Sequence, residues 1–179
     1  MARYGMLINT RRCAGCFACR VACQMNNSLP SSASFIRYET LEEGTYPNVR
    51  AEQVPLQCQH CEDAPCVRVC PTGASYINDD GVVLTNPDRC IGCKYCMVAC
   101  PYGARIQDEE EGFVEKCRFC VFEDDGSVPA PACVSTCITH ARIFGDLDDP
   151  KSDISEAIIK YNAKPLAGDL TKAKIFYVR

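Results

Sequence analysis

Sixteen cysteines constrain this 179-residue chain more than any other feature. They fall into four groups of four, with none left over. Group one is Cys13, Cys16, Cys19 and Cys23. Group two is Cys58, Cys61, Cys66 and Cys70, followed by Pro71. Group three is Cys90, Cys93, Cys96 and Cys100, followed by Pro101. Group four opens with the pair Cys117 and Cys120 and closes, after a gap of twelve residues, with Cys133 and Cys137. Gaps of two residues let a loop curl so that successive thiolates reach neighbouring metal atoms of one centre. They suit metals better than disulfide bridges.

Group three reproduces the C-x2-C-x2-C-x3-C-P run whose thiolates hold [4Fe–4S] cubanes in bacterial ferredoxins. Zinc is the strongest rival, because paired C-x2-C also builds four-cysteine zinc sites. Zinc needs only two such pairs, however, and gains nothing from a third cysteine or a Cys-Pro step. Disulfides fit less well still, since no secretory signal opens the chain. The expected content is therefore four cubanes bound through sixteen cysteines.

The fourth cysteine of each group is expected to start a helix that points away from the first three, with the following proline in its first turn. In two-cluster ferredoxins that cysteine ligates the other cluster of the pair. Groups two and three form one such pair, and groups one and four complete another if the chain brings them together. The swapping rule then predicts four ligand sets. Cys13, Cys16 and Cys19 take Cys137; Cys58, Cys61 and Cys66 take Cys100. Cys90, Cys93 and Cys96 take Cys70; Cys117, Cys120 and Cys133 take Cys23.

Composition agrees with a protein built around its cofactors. With so many cysteines committed as ligands, the free apolar core is thin, and metal binding must supply much of the folding free energy. No apolar run reaches the length of a membrane span. The formal net charge of −4 argues against nucleic acid. Sixteen thiolates and four oxidised 2+ cores would take the total to about −12. Arg68, Arg89, Lys94, Arg105, Lys116, Arg118 and Arg142 lie near cysteines in sequence and are candidates to offset that load.

The remaining segments read as scaffold. Tyr4–Ile8 and Ile175–Val178 are expected as terminal strands. Residues 34–57 suggest a hairpin turning near Tyr46-Pro47-Asn48, and a shorter hairpin turns at Asn78–Gly81. Ile154, Ala157, Ile158 and Tyr161 stand at helical spacing and predict an amphipathic helix. The acidic runs Asp108–Glu111, Glu123–Asp125 and Asp146–Asp149 read as solvated loops. No catalytic constellation emerges. The two histidines, His60 and His140, have no nucleophile to activate, and are expected to pack or hydrogen-bond rather than bind metal. There is no P-loop and no dinucleotide fingerprint.

The segment from Cys58 to Tyr76, with Cys90-Ile-Gly-Cys-Lys-Tyr-Cys-Met-Val-Ala-Cys-Pro-Tyr-Gly-Ala-Arg105, resembles the iron–sulfur subunits of molybdopterin oxidoreductases of the dimethyl-sulfoxide-reductase family, and most of all the polysulfide and thiosulfate reductase B subunits. Tyr4-Gly5-Met6, Tyr46-Pro47-Asn48 and Phe144-Gly145-Asp146-Leu147-Asp148 extend the likeness over most of the chain. The resemblance implies an α+β fold of two pseudo-symmetric ferredoxin-like units. An outer one spans 1–33 plus 106–149 and an inner one 58–105, with a β-hairpin insertion at 34–57 and a short C-terminal helix and strand tail at 150–179. It also implies an electron-transfer subunit, not an enzyme on its own. Such a subunit relays electrons between a molybdenum or tungsten pterin catalytic subunit and a membrane quinone-reactive subunit. The alternative is the same wire beside a flavin subunit in a soluble cytoplasmic tungsten aldehyde oxidoreductase. Relatives without their own signal cross the membrane with the catalytic subunit, so the periplasmic face and the cytoplasm both stay open. Group four departs from the pattern, with Ile138 in place of the usual proline. Cys93 is a cysteine where some relatives carry tryptophan, which keeps the expectation at four cubanes.

Overall fold

The computed structural model describes residues 2–121 and 130–179. The acidic run Glu123–Asp125 lies outside them. Strand β1 (Tyr4–Asn9) is the centre of a three-stranded sheet. It pairs antiparallel with β8 (Arg142–Asp146) and parallel with β9 (Ile175–Val178). Its residues are almost all apolar because both faces are covered. Alternation along the strand sends Met6 and Ile8 to one core and Leu7 to another. Leu7 packs with Ile154 and Ala157 of helix α5 (Asp153–Tyr161), which is capped by the Ser152 hydroxyl accepting from Ser155 N at 3.3 Å. Three of the four positions predicted to face inward are at least half-buried; Tyr161 is exposed, lying beyond the edge of that packing.

Both predicted hairpins form. Strands β2 (Arg37–Thr45) and β3 (Asn48–Leu56) pair over nine residues, with only the base buried. Strands β4 (Ser75–Ile77) and β5 (Val83–Thr85) flank the Gly81 turn. A third pair, β6 (Ile106–Gln107) and β7 (Val114–Glu115), encloses the Asp108–Glu111 run. That run is an ordered turn, in which Asp108 Oδ1 accepts from the backbone of Glu110 and Glu111 at 2.9 Å each. Asp146 similarly accepts from Arg3 N and Asp148 N.

The cysteine segments carry helix α1 (Ala18–Asn26) and the single turns α2 (Pro65–Arg68), α3 (Tyr95–Val98) and α4 (Ala132–Ser135). They correct the expectation for the fourth cysteine. Cys70, Cys100 and Cys137 follow the end of a helical turn instead of starting one, and Cys23 sits inside α1. The short helix joins the third cysteine to the fourth and holds them one turn apart. Pro71 and Pro101 therefore act as terminators, because proline cannot continue a helix. For the same reason Ile138 changes no helix start: α4 has already ended before it.

Helix α1 packs on α4, and α2 on α3. Groups one and four are thus brought together although more than ninety residues separate Cys23 from Cys117. The last thirty residues strap both halves together. Met6 N donates to Lys174 O at 3.0 Å, Lys174 N donates to Gln59 O at 2.9 Å, and the Tyr102 and Thr171 hydroxyls meet at 2.6 Å.

Candidate metal centres

Three small cavities are each walled by four cysteines. The first is lined by Cys58, Cys61, Cys66 and Cys100. The second is lined by Cys23, Cys117, Cys120 and Cys133. The third is lined by Cys13, Cys16, Cys19 and Cys137. In each, three cysteines come from one group and one from its partner group. Of the remaining quartet, Cys90 and Cys96 share a packed cluster with Cys66 and Cys100. Cys93 is exposed, as is Cys16 at the opposite chamber, while Cys70 is half-buried.

The loops have a common backbone device. Gly15, His60, Gly92 and Phe119 each precede the second cysteine of their group, with φ of 62°, 45°, 65° and 56°. Left-handed residues in such loops turn successive N–H groups to one side and make a concavity for anions. Glycine does this without strain at Gly15 and Gly92. Histidine visits this region more often than most residues, whereas Phe119 adopts it against its side-chain preference. His60 and Phe119 stack on each other across the two halves, ring centroids 3.7 Å apart.

The surrounding charges fit an anionic guest. Among the described residues, His60 Nε2, Arg105 Nε and Arg142 Nη2 are buried donors without a protein partner. Val83 N donates to His60 Nδ1 at 3.3 Å, so the neutral ring carries its proton on Nε2. Burial, with Lys116, Lys174 and Arg105 nearby, holds the imidazole well below its ordinary pKa. A cluster brings inorganic sulfides that accept from such donors. No three His, Cys, Asp or Glu among the described residues converge closely enough for a single metal ion. Four sulfurs spread around a cavity suit a cubane; zinc would draw them together.

The thiols themselves divide by environment. Burial pushes Cys23 up to about 12, and Cys61 and Cys133 up to about 11. Cys70 and Cys137 move down: burial opposes the shift, but hydrogen bonds outweigh it. Ser75 N reaches Cys70 at 3.4 Å and Ala141 N reaches Cys137 at 3.3 Å, with the Thr72 and Thr139 hydroxyls at 3.7 Å. The same Cys-x-Thr arrangement recurs in both halves.

Of the seven cations singled out in sequence, Arg105, Lys116 and Arg142 are buried. Arg68, Arg89 and Lys94 are exposed, and Arg118 pairs loosely with Glu115 at 3.9 Å. Sequence reasoning missed Lys174, which is 2 % exposed and donates to Gly81 O. It also missed Tyr38, whose hydroxyl contacts the Cys19 sulfur.

Chambers walled by sulfur and rimmed by oriented donors define the class: an iron–sulfur protein that carries electrons and leaves substrate chemistry to others. Comparison with known proteins agrees. The family described as 4Fe-4S dicluster domain matches residues 49–147. The B component of the polysulfide reductase of Wolinella succinogenes is 41% identical over 182 residues, covering 98% of this chain and 94% of the relative. The arsenate respiratory reductase iron-sulfur subunit of a Shewanella species is 36% identical, covering 99% and 96%. The B component of the tetrathionate reductase of Salmonella typhimurium is 39% identical, covering 98% and 72%. The chain belongs to this family, the iron–sulfur B subunits of molybdopterin oxidoreductases, and is a [4Fe–4S] electron-transfer subunit of anaerobic respiration.

Proposed function

We propose that the chain holds four [4Fe–4S] clusters and relays electrons between a molybdenum or tungsten pterin catalytic subunit and a membrane quinone-reactive subunit. Cys13, Cys16, Cys19 and Cys137 hold one cluster; Cys117, Cys120, Cys133 and Cys23 hold the next. Cys58, Cys61, Cys66 and Cys100 hold the third, and Cys90, Cys93, Cys96 and Cys70 the last. Residues 1–33 with 106–149 form the outer two-cluster unit and 58–105 the inner one. The observation that carries the reading is the trio of four-cysteine chambers, each taking its fourth cysteine from the partner group.

The clusters form a row. Cys96 neighbours Cys66, Cys58 neighbours Cys117, and Cys133 neighbours Cys19, which orders the sets from Cys93 at one surface to Cys16 at the other. Each cluster, when bound, supplies a one-electron centre. The chain's own residues orient donors toward sulfur, exclude water and fix the spacing. Reductase names among the relatives support a catalytic partner, and the membrane subunit is the second end of the relay. Among the described residues no helix is long and apolar enough to cross a membrane.

Anaerobic isolation of the native complex, with subunits identified by mass spectrometry and molybdenum and tungsten measured, tests this. A pterin-metal subunit with a polytopic membrane subunit is the expected outcome. A soluble assembly with tungsten and a flavin subunit would replace it with the cytoplasmic alternative.

A further inference from the structure

Four cations are buried among the described residues, and three of them stand between cysteine sets. Arg105 lines the chamber of Cys58, Cys61, Cys66 and Cys100. Its Nη2 donates to Ser75 Oγ at 2.5 Å, and Ser75 N donates to Cys70 of the neighbouring set. Lys116 Nζ donates to Cys117 O at 2.6 Å, and also to the carbonyl of Val83, which lines the Cys58 chamber. Arg142 lines the Cys13 chamber, and its Nη1 lies 3.8 Å from Cys133 Sγ of the next set. Lys174, the fourth, lies to one side against Gly81 O.

None of the three junction residues pairs with a carboxylate among the described residues. A buried cation without an anion is strongly unfavourable. Arginine cannot shed its proton, so for Arg105 and Arg142 the balancing charge comes from the sulfur on either side, and Lys116 faces the sulfurs of Cys58 and Cys117 in the same way. Arg142 responds to Cys133 and Cys19 together, and Arg105 to Cys66 and Cys96, in each case one ligand from each adjoining set.

We propose that Arg105, Lys116 and Arg142 are junction cations, each raising the reduction potentials of both clusters it stands between, so that neighbouring centres are tuned in pairs. The inference rests on the four-cluster reading above. A positive charge stabilises an added electron on either side, and burial spares it the screening that weakens surface charges. These are positioning residues for charge; they take no electron themselves.

The test is redox titration of the anaerobically isolated complex, followed by electron paramagnetic resonance, with signals assigned from Cys16→Ser and Cys120→Ser variants. Arg142→Gln is expected to lower two midpoints, those of the Cys13 and Cys117 sets. A tenfold change in the reduction equilibrium would be ~59 mV at each. Arg142→Lys is expected to restore both, and Arg50→Gln on the exposed hairpin to shift neither. Arg105→Gln and Arg105→Lys make the same comparison at the adjoining junction should Arg142→Gln not assemble. A shift at one cluster only, or at none, with the iron content intact, overturns the proposal. A wild-type complex lacking four cluster signals would instead overturn the four-cluster reading itself.

Discussion

The Tyr38 hydroxyl lies 2.7 Å from the sulfur of Cys19, at the base of the long hairpin. Burial and the Cys19 contact push the phenol above its ordinary pKa, and a Cys19 thiolate holding a cluster could only accept from it. Its ring meets Phe17 edge-on at 4.4 Å, which fixes its orientation. A hydrogen bond to a cluster sulfur favours the more negative, reduced form and raises the potential. Tyr38→Phe is therefore expected to lower the midpoint of the cluster proposed to be held by Cys19 and leave the others in place. Potentiometric titration checks this; an unchanged or raised midpoint would count against the contact.

Cys93 is exposed, and in the proposed row of clusters it is a ligand at one end. Cys93→Ala is expected to lose about one iron from that cluster, or the whole cluster, and to slow electron flux through the assembly. Iron analysis and a flux assay read this together. Retention of full iron and full flux would remove Cys93 from its set.

Ile154 is fully buried between Leu7 and Ala157, away from every cysteine chamber. Ile154→Ala is expected to cost ~2–5 kcal/mol of stability while leaving cluster potentials unchanged. Thermal unfolding and redox titration on the same sample separate the two effects. A change in potential would mean that the sheet and α5 position the clusters more directly than their packing indicates.

The four-ligand chambers hold buried thiols that burial keeps protonated when no metal is bound. Loading a cluster would release those protons, so metal binding would be coupled to folding. Removal of iron by a chelator under anaerobic, reducing conditions is expected to abolish cooperative unfolding and protease resistance. Circular dichroism and limited proteolysis would show it. A chain that stays as resistant as before would place its stability in the three-stranded sheet alone.

Much of this was legible in the cysteine spacing, because a two-residue gap has few geometries open to it. The terminal strands and both hairpins followed from apolar runs and turn residues. What escaped was set by contacts distant in sequence. Lys174 is buried because it bridges Gly81 and Gln59, and nothing near it in sequence signals that. Arg105 and Arg89 look alike beside their cysteines; only the fold buries one and exposes the other. The left-handed residues were readable at Gly15 and Gly92. At His60 and Phe119 the side chains gave no such signal for the left-handed backbone, which accompanies their shared stack. The Cys-Pro step read as a helix start, and the structure makes it a helix stop, because the turn it follows is built from the residues before it.

The proposed cofactor content is four [4Fe–4S] clusters in one chain. Iron and acid-labile sulfide, with Mössbauer spectra of the anaerobic complex after the catalytic subunit's own contribution is subtracted, test it most directly. Four filled cysteine sets would give about sixteen irons and about sixteen sulfides per chain, all in [4Fe–4S] form. About eight irons, or zinc in place of iron at any quartet, would contradict it.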